Sequence, residues 1–500
     1  MTGSLSPHAE REAPVRRSAG RLPRRLPGRG GASALAESGT SRRMLAGRAL
    51  LLVALVVCVA LRGAVSPVAL LGALLLAGTA LLLGSLSPPA EARTFRSFRL
   101  ALVMAGGLAA FLLLQSWSFV GNPLANPLWS FVSRLAGIPG GAVSVDPAAT
   151  LDAAFLLVSP FVFYAAALAL FPRDEGALRL LFWLGAFGVA FALFGIAQVA
   201  FFPRRLLLVE KTDYLDSLTS VFVNRNTAGT FLGVASLIVA TLAVRALPRR
   251  GGERHMPTPR AGERRPAAWP LVLAAFVVLI ALFLTRSRGA LLSTMVAVIA
   301  VAPFLILDRN GRSRTAHPAS WRRALLAFGT VALAVLLVAG LFGGLTIYRM
   351  EVHGVDGVRL CLYWSALDAF GQNWRFGAGF GTFASVFPMH RTAGCVSPTD
   401  VILRAHNVYI EGLVGLGVGF VPVLLLGYAH VLANLVRGLR QRRRLRAVPL
   451  LALGAVILVS LHGLVDFSVQ IPGMAAYLAT YLAAATTISL GRGRERRSSP

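Results

Sequence analysis

The sequence predicts an all-helical, polytopic membrane protein with about twelve transmembrane helices and one large outer loop that carries short helices. Two observations carry this expectation. Of 500 residues, 56% are hydrophobic and only 14% are charged, against about 25% charged residues in a soluble domain. The apolar residues also fall in long runs, many of about 17 residues or more without internal charge, long enough to cross a hydrocarbon core of about 30 Å as helices. A soluble helical protein would show a polar face every turn, and these runs do not. The net charge of +29 raises nucleic acid as a partner. The arginines argue against it, because they sit between the apolar runs and at the two ends. Three cysteines leave no disulfide-rich scaffold.

In chain order, the spans are expected near residues 44–61, 67–84, 99–115, 151–171, 179–201, 224–246, 268–285, 289–307, 324–345, 408–431, 447–465 and 471–490. Together they make residues 44–490 the transmembrane domain. Residues 1–43, rich in Arg, Pro, Gly and Ser, read as a disordered basic tail. Its length also sets the first span too far from the start for an ordinary signal peptide. Residues 491–500 form a second basic tail. Orientation follows from the excess of Lys and Arg on cytoplasmic segments. The N-terminal tail, 245–265, 309–323, 437–446 and 492–497 are all basic, and twelve spans place them all on one side. An odd number of spans would scatter them over both. Both termini are therefore expected in the cytoplasm. The alternate segments are poorer in arginine, and 116–150 holds only Arg134.

Segment 346–407 then becomes a large outer loop, far longer than an ordinary connection. Long loops on a membrane scaffold commonly carry function. Within it, Val358–Phe370 places Leu360, Tyr363, Trp364 and Leu367 at helical spacing, which suits an amphipathic helix at the interface.

Four polar constellations stand at the expected outer ends of spans, and each has a bland alternative. Thr285-Arg286-Ser287-Arg288-Gly289 joins two spans with almost no loop. It is either a turn whose arginines snorkel to headgroups or an anion clamp, since guanidinium offers a fixed fork of donors to phosphate oxygens. Phe222-Val223-Asn224-Arg225-Asn226 begins another span. A helix cap needs one such residue. Three polar residues in a row, with Arg225 at a helix start that already attracts anions, leave anion binding open beside capping. Arg404-Ala405-His406-Asn407 precedes the tenth span. A lone histidine is commonly a structural hydrogen-bonding group, yet it is also the usual general base near neutral pH. His462-Gly463-Leu464-Val465-Asp466-Phe467 ends the eleventh. Ionisable groups beside a span are functional candidates, and a solvated helix-end Asp is the alternative.

This ordered set resembles the O-antigen ligase/polymerase superfamily over roughly residues 200–475. The family's asparagine-rich span start, Ser-Arg-Gly turn, large loop with Arg, Trp and a Gly-x-Gly-x-x-Phe stretch, His-Asn and final His…Asp-Phe all have counterparts. In the loop they are Arg359, Trp364 and Gly377-Ala378-Gly379-Phe380-Gly381-Thr382-Phe383. Three positions depart. Trp374 stands where the family often has Pro before the glycines, Val408 where it often has Asp, and Gly415 where it often has Glu. A role for that acid is then absent or moved to Glu411.

The resemblance implies a bacterial inner-membrane glycosyltransferase. It would take glycan from an undecaprenyl-diphosphate-linked donor to a hydroxyl of a glycan, lipid or protein acceptor, with no metal and no cofactor. The leaving diphosphate needs its developing charge stabilised. No outer loop shows an Asp-x-Asp or His/Cys cluster for a divalent ion, so arginines remain. Arg288, Arg225 and Arg286 would grip the diphosphate, and His406 would take the acceptor proton. Asn224, Asn226, Arg359, Asn407, His462 and Asp466 complete the expected substrate-binding set. Polymerase and ligase are not separated by any short motif. The rival reading is a glycolipid or small-molecule transporter or flippase. Transporters tend to carry internal repeats and midplane sites, and neither is seen here. Cys361 and Cys395 both fall in the outer loop, where an oxidising compartment would favour a disulfide; two unpaired small hydrophobes are the alternative.

Overall fold

In a computed structural model, residues 30–87, 89, 91–207, 209–247, 268–309, 357–392, 395 and 401–491 are described. Residues 1–43 and 44–500 form two separate units. The described helices are α1 (Gly30–Ala60), α2 (Pro67–Ser85), α3 (Ala92–Ser116), α4 (Leu128–Ala136), α5 (Pro147–Leu170), α6 (Asp174–Phe201), α7 (Arg225–Ala246), α8 (Ala268–Leu284) and α9 (Arg288–Arg309). They continue with α10 (Gly357–Gln372), α11 (Phe383–His390), α12 (Val408–Leu416), α13 (Phe420–Gln441), α14 (Ala447–His462) and α15 (Pro472–Leu490). Among the described residues, strand is limited to a two-residue hairpin, β1 (Arg205–Leu206) against β2 (Val209–Glu210).

The chain is thus a helical, multi-pass membrane protein. Nine described helical stretches are long and apolar enough to cross a membrane, and two further apolar helices, Ala268–Leu284 and Ala447–His462, are shorter. These eleven coincide with eleven of the twelve expected spans. The expected span at 324–345 lies outside the described residues, as do 1–29 and 492–500 of the expected tails. The helix containing the first span begins at Gly30, and its apolar, membrane-length part is Arg42–Ala60. A single stretch, Val408–Gln441, combines α12 and α13 through a 3-10 turn at Gly417–Gly419.

Helices α7 and α15 are the most buried spans. Their sequences explain it: Ala, Gly, Ser and Thr recur along both, and small residues let helix backbones approach closely without lipid between them. Gly473 shows how tight this is. Its N–H donates to the Gly63 carbonyl at 3.0 Å, and a Cβ there would come within 2.8 Å of the Cys58 carbonyl oxygen. Around the pair, α15 packs on α5 and α6, and α7 packs on α6, α8, α9 and α14. Phe187, Phe191, Phe222, Phe231 and Tyr477 interlock where α6, α7 and α15 meet.

The connection between α9 and α12 has a small core of its own, with Leu362, Ala366, Ala369, Phe383, Phe387 and Val414 buried together. The expected helix over 358–370 is α10. Its Leu360, Trp364 and Leu367 are exposed on one stripe, while Tyr363 turns inward. The glycine stretch locks this small core to the bundle. Gly377, Gly379 and Gly381 all have positive φ, a conformation that costs a side-chain-bearing residue about 1–2 kcal/mol. Ala378, between them, donates to Val414 O and accepts from Val145 N.

Cys361 and Cys395 form a disulfide with Cα atoms 5.6 Å apart, inside the ordinary range. It ties α10 to the segment before α12. Closing a loop of this length contributes up to about 3–4 kcal/mol by chain entropy. A thiol titration of the unfolded protein should therefore give one group without reductant, Cys58, and three with it. Equal counts would contradict the pairing.

Candidate functional site

The four sequence motifs meet at one end of the bundle, around Asp466. This carboxylate lies in the turn between α14 and α15 and is buried. Oδ1 accepts from Asn226 Nδ2 at 2.8 Å. Oδ2 accepts from the Ser468 backbone N–H at 2.9 Å and from the Ser468 hydroxyl. His406 Nδ1 stands 3.9 Å from Oδ1, within ion-pair reach but too far for a hydrogen bond. Burial raises the Asp466 pKa, but His406, His462, Ser468 and Asn226 outweigh it and hold the group below its ordinary value. Asp466 is therefore a buried anion at neutral pH. Its contribution to stability is complete above the ordinary carboxylate pKa and is lost as pH falls through the lowered folded value.

Asn226 is the bridge between motifs. Its Nδ2 goes to Asp466, and its Oδ1 accepts from Ser287 Oγ at 2.8 Å. Ser287 belongs to the Thr285–Ser287 turn, where its N–H donates to Thr285 Oγ1. Asn224 has a different job. Its side-chain oxygen accepts from the Asn226 N–H at 2.7 Å and caps α7. Asn407 likewise caps α12, accepting from Tyr409 and Ile410 N–H, and its Nδ2 donates to Leu464 O at 2.9 Å. These two asparagines fix the starts of helices; Asn226 makes the long-range contact.

His406 is held from several directions. Its φ is +53°, in the left-handed region that non-glycine residues rarely occupy outside special sites. Tyr363 of α10 donates to its carbonyl at 3.2 Å and to Leu464 O at 3.1 Å. Phe467 meets its ring edge-on at 5.1 Å. The ring is partly exposed, with 32% of the side chain accessible, while Nδ1 is buried without a hydrogen-bond partner among the described residues. His462 lies deeper, its Nδ1 2.6 Å from Thr230 Oγ1. A Cβ on Gly289 would come within 2.9 Å of its Nε2, so the Ser-Arg-Gly turn packs directly on this ring.

Glu411, four residues before Gly415, is the carboxylate nearest in sequence to it in α12. It is buried, accepts from Arg404 Nη1 at 2.9 Å and from the Ala405 N–H at 3.0 Å. It thereby braces the two residues before His406. Gly415, one turn later, has no room for a side chain, because a Cβ would come 2.9 Å from Phe380 Cα. Glu411→Gln should weaken the Arg404 contact and lower stability by about 1–3 kcal/mol. A thermal-unfolding comparison checks this, and an unchanged midpoint would contradict the bracing role.

Three arginines belong to the motifs that meet here. Arg288 is the first residue of α9 and is half-buried, with no side-chain ion pair or hydrogen bond to the described residues. Arg286, also at φ +53°, pairs with Asp216 at 2.6 Å. Both partners are substantially exposed, so the pair contributes at most about 1 kcal/mol. Arg225 lies over the Tyr214 ring, 5.1 Å from its centroid. Burial raises the Tyr214 pKa; Arg225 and Arg359 pull it down, and Asp466 and Asp213 add to the rise. Tyr214 is therefore within electrostatic reach of Arg225, Arg359 and Asp466 together.

The segment between α6 and α7 that presents Tyr214 and Asp216 is itself pinned. Gln198 donates to Arg205 O and Ser220 O, both at 2.8 Å, and Lys211 Nζ donates to Ser217 O at 2.7 Å. Burial lowers the Lys211 pKa, partly offset by Asp216. Sequence reasoning missed Tyr214, Asp216, Thr230, Ser287, Tyr363 and Ser468 as site partners. Among the described residues, no group of three or more His, Cys, Asp or Glu is placed to hold a metal ion.

A multi-pass helical membrane protein with a His–Asp cluster at one end of its bundle, assembled from arginine-bearing motifs, is the class these features define. Residues 273–426 match the O-antigen ligase family model, and the match supports the O-antigen ligase/polymerase superfamily. The matched span holds the Ser-Arg-Gly turn, the glycine stretch and His406. A search of curated proteins finds no match. The family match supports an O-antigen ligase/polymerase-type function at the membrane.

Proposed function

We propose that the chain transfers glycan from an undecaprenyl-diphosphate-linked donor to an acceptor hydroxyl at the outer face of a bacterial inner membrane. The observation that carries this reading is the convergence of Asn226, Ser287, His406 and Asp466, with Arg225, Arg286 and Arg288 in the same motifs. The acceptor O–H gives its proton to His406. The oxygen attacks the anomeric carbon, and the bond from that carbon to the diphosphate oxygen breaks. The electron pair leaves on the lipid diphosphate, whose charge the arginines meet with fixed donors. Because Nδ1 faces Asp466, Nε2 is the atom that receives the proton, and the buried carboxylate stabilises the imidazolium that forms. Arg359, near Tyr214, joins the substrate-facing charge, and His462 buttresses the Ser-Arg-Gly turn. Asn224 and Asn407 position the helices from which these groups project. The chemistry needs no divalent ion and no cofactor.

The orientation belongs to the same reading. Both termini and the basic loops lie in the cytoplasm, and the Cys361–Cys395 disulfide suits an oxidising outer compartment. Alkaline phosphatase fused after His390 should be active, and a cytoplasmic reporter at the same point silent. The reverse pattern would put the site on the wrong side for this donor.

Glycan analysis of a strain lacking the protein tests the function in the cell. Single repeats left on the lipid carrier identify a polymerase, and full-length polymer stranded there identifies a ligase. Unaltered glycan would contradict both.

A further inference from the structure

A second polar cluster lies at the opposite end of the bundle and takes no part in the chemistry above. Arg93 and Arg96 of α3, with Arg437 of α13, line a cavity of about 460 Å³ together with Ser97, His430 and Asn434. None of the three guanidinium groups has a carboxylate or hydrogen-bond partner among the described residues. The floor is a built chain of neutral polar groups. Asn434 Nδ2 reaches Ser97 Oγ at 3.5 Å and His430 Nε2 at 3.1 Å; Tyr164 OH is 3.3 Å from the same nitrogen and donates to Thr486 Oγ1 at 3.0 Å. Ser97 and Asn434 are buried.

Leu100 and His430 also line a second, apolar cavity of about 270 Å³, whose walls include Met104, Phe161, Leu478 and Leu482. A basic mouth thus opens beside an oily chamber. About 27 Å of helix, at 1.5 Å per residue, separates Ser97 from Gln115, and at the other end Gln115 accepts from the Phe380 N–H of the glycine stretch at 3.5 Å and donates to Gly415 O at 2.9 Å. The two polar ends of the bundle are a membrane thickness apart.

We infer that this pair of cavities binds an anionic glycerophospholipid of the leaflet on the side of the basic loops, its phosphate among Arg93, Arg96 and Arg437 and an acyl chain in the chamber behind His430. Three arginines without a carboxylate partner among the described residues, over a neutral polar floor, suit an anionic phosphate diester. A soluble anion would leave the adjoining apolar chamber unused. An uncharged headgroup would leave the guanidinium groups unmatched.

The full-length protein in neutral detergent can be titrated with phosphatidylglycerol, phosphatidylcholine or inorganic phosphate while its thermal midpoint is followed. Phosphatidylglycerol should raise the midpoint saturably, and the other two should not. The triple variant Arg93→Gln/Arg96→Gln/Arg437→Gln should weaken that response about a hundredfold in lipid concentration. Met104→Trp keeps all three charges but fills the chamber, and should also weaken it. Equal stabilisation by inorganic phosphate or by phosphatidylcholine would overturn the proposal. So would a wild-type response in either variant.

Discussion

His406→Ala should reduce glycan transfer by about 10²–10⁴-fold, the usual contribution of a positioned general base, while leaving protein level and donor binding close to wild type. The geometry makes the separation sharp. The imidazole is partly exposed and forms no side-chain hydrogen bond that the fold depends on. What holds residue 406 in its left-handed conformation is backbone: Tyr363 donates to its carbonyl, Glu411 fixes Ala405 before it, and Asn407 caps α12 after it. None of these contacts uses the ring. Truncation therefore removes the proton acceptor and a ring contact with Phe467, not the scaffold. Single-turnover transfer by the purified variant, alongside binding of the lipid donor, measures the two separately. A variant with near wild-type transfer would show that His406 is not the base. Low membrane abundance with normal specific activity would assign it a structural role.

Arg288→Lys should lose about 10²–10³-fold in transfer, the scale seen when one preorganised donor to a developing negative charge is removed. Here the loss should include donor affinity, because the same group meets the diphosphate in the ground state. Lysine keeps the charge, yet a single ammonium cannot reproduce the guanidinium's two parallel bonds to phosphate oxygens. Arg288 is chosen over its neighbours because Arg286 already engages Asp216 and Arg225 lies on Tyr214. The two defects should differ in kind: Arg288→Lys weakens binding of the lipid diphosphate, and His406→Ala spares it. Equal binding by both would contradict the division of roles.

The fold was legible because a membrane span writes itself in composition. Eleven apolar runs with few or no charges became eleven helical stretches, α8 and α14 merely shorter than a full crossing. The site was legible for a related reason. Asn226, His406, His462 and Asp466 are polar residues at the ends of apolar runs, where each must find a partner or a task. What the sequence could not show was which task. Asn224 and Asn226 are two residues apart and chemically identical, yet one caps α7 and the other reaches Asp466, 240 residues away. Ser287, Thr230 and Tyr363 act through contacts 43 to 232 residues distant, and no local pattern marks such partners. Tyr214 and Asp216 sit in a segment that shows neither helical nor strand periodicity. The arginines of the opposite cavity were hidden differently. Arg437 stands in a basic stretch already explained by orientation, and only the fold sets it beside Arg93 and Arg96.

The most direct measurement is in vitro. Purified protein in detergent, given an undecaprenyl-diphosphate-linked oligosaccharide carrying a fluorescent sugar, should extend that glycan or pass it to an added acceptor and release undecaprenyl diphosphate. The reaction should proceed in EDTA and fail with His406→Ala. Transfer that persists in His406→Ala, or that stops in EDTA and returns with Mg²⁺, would contradict the arginine and histidine mechanism proposed here.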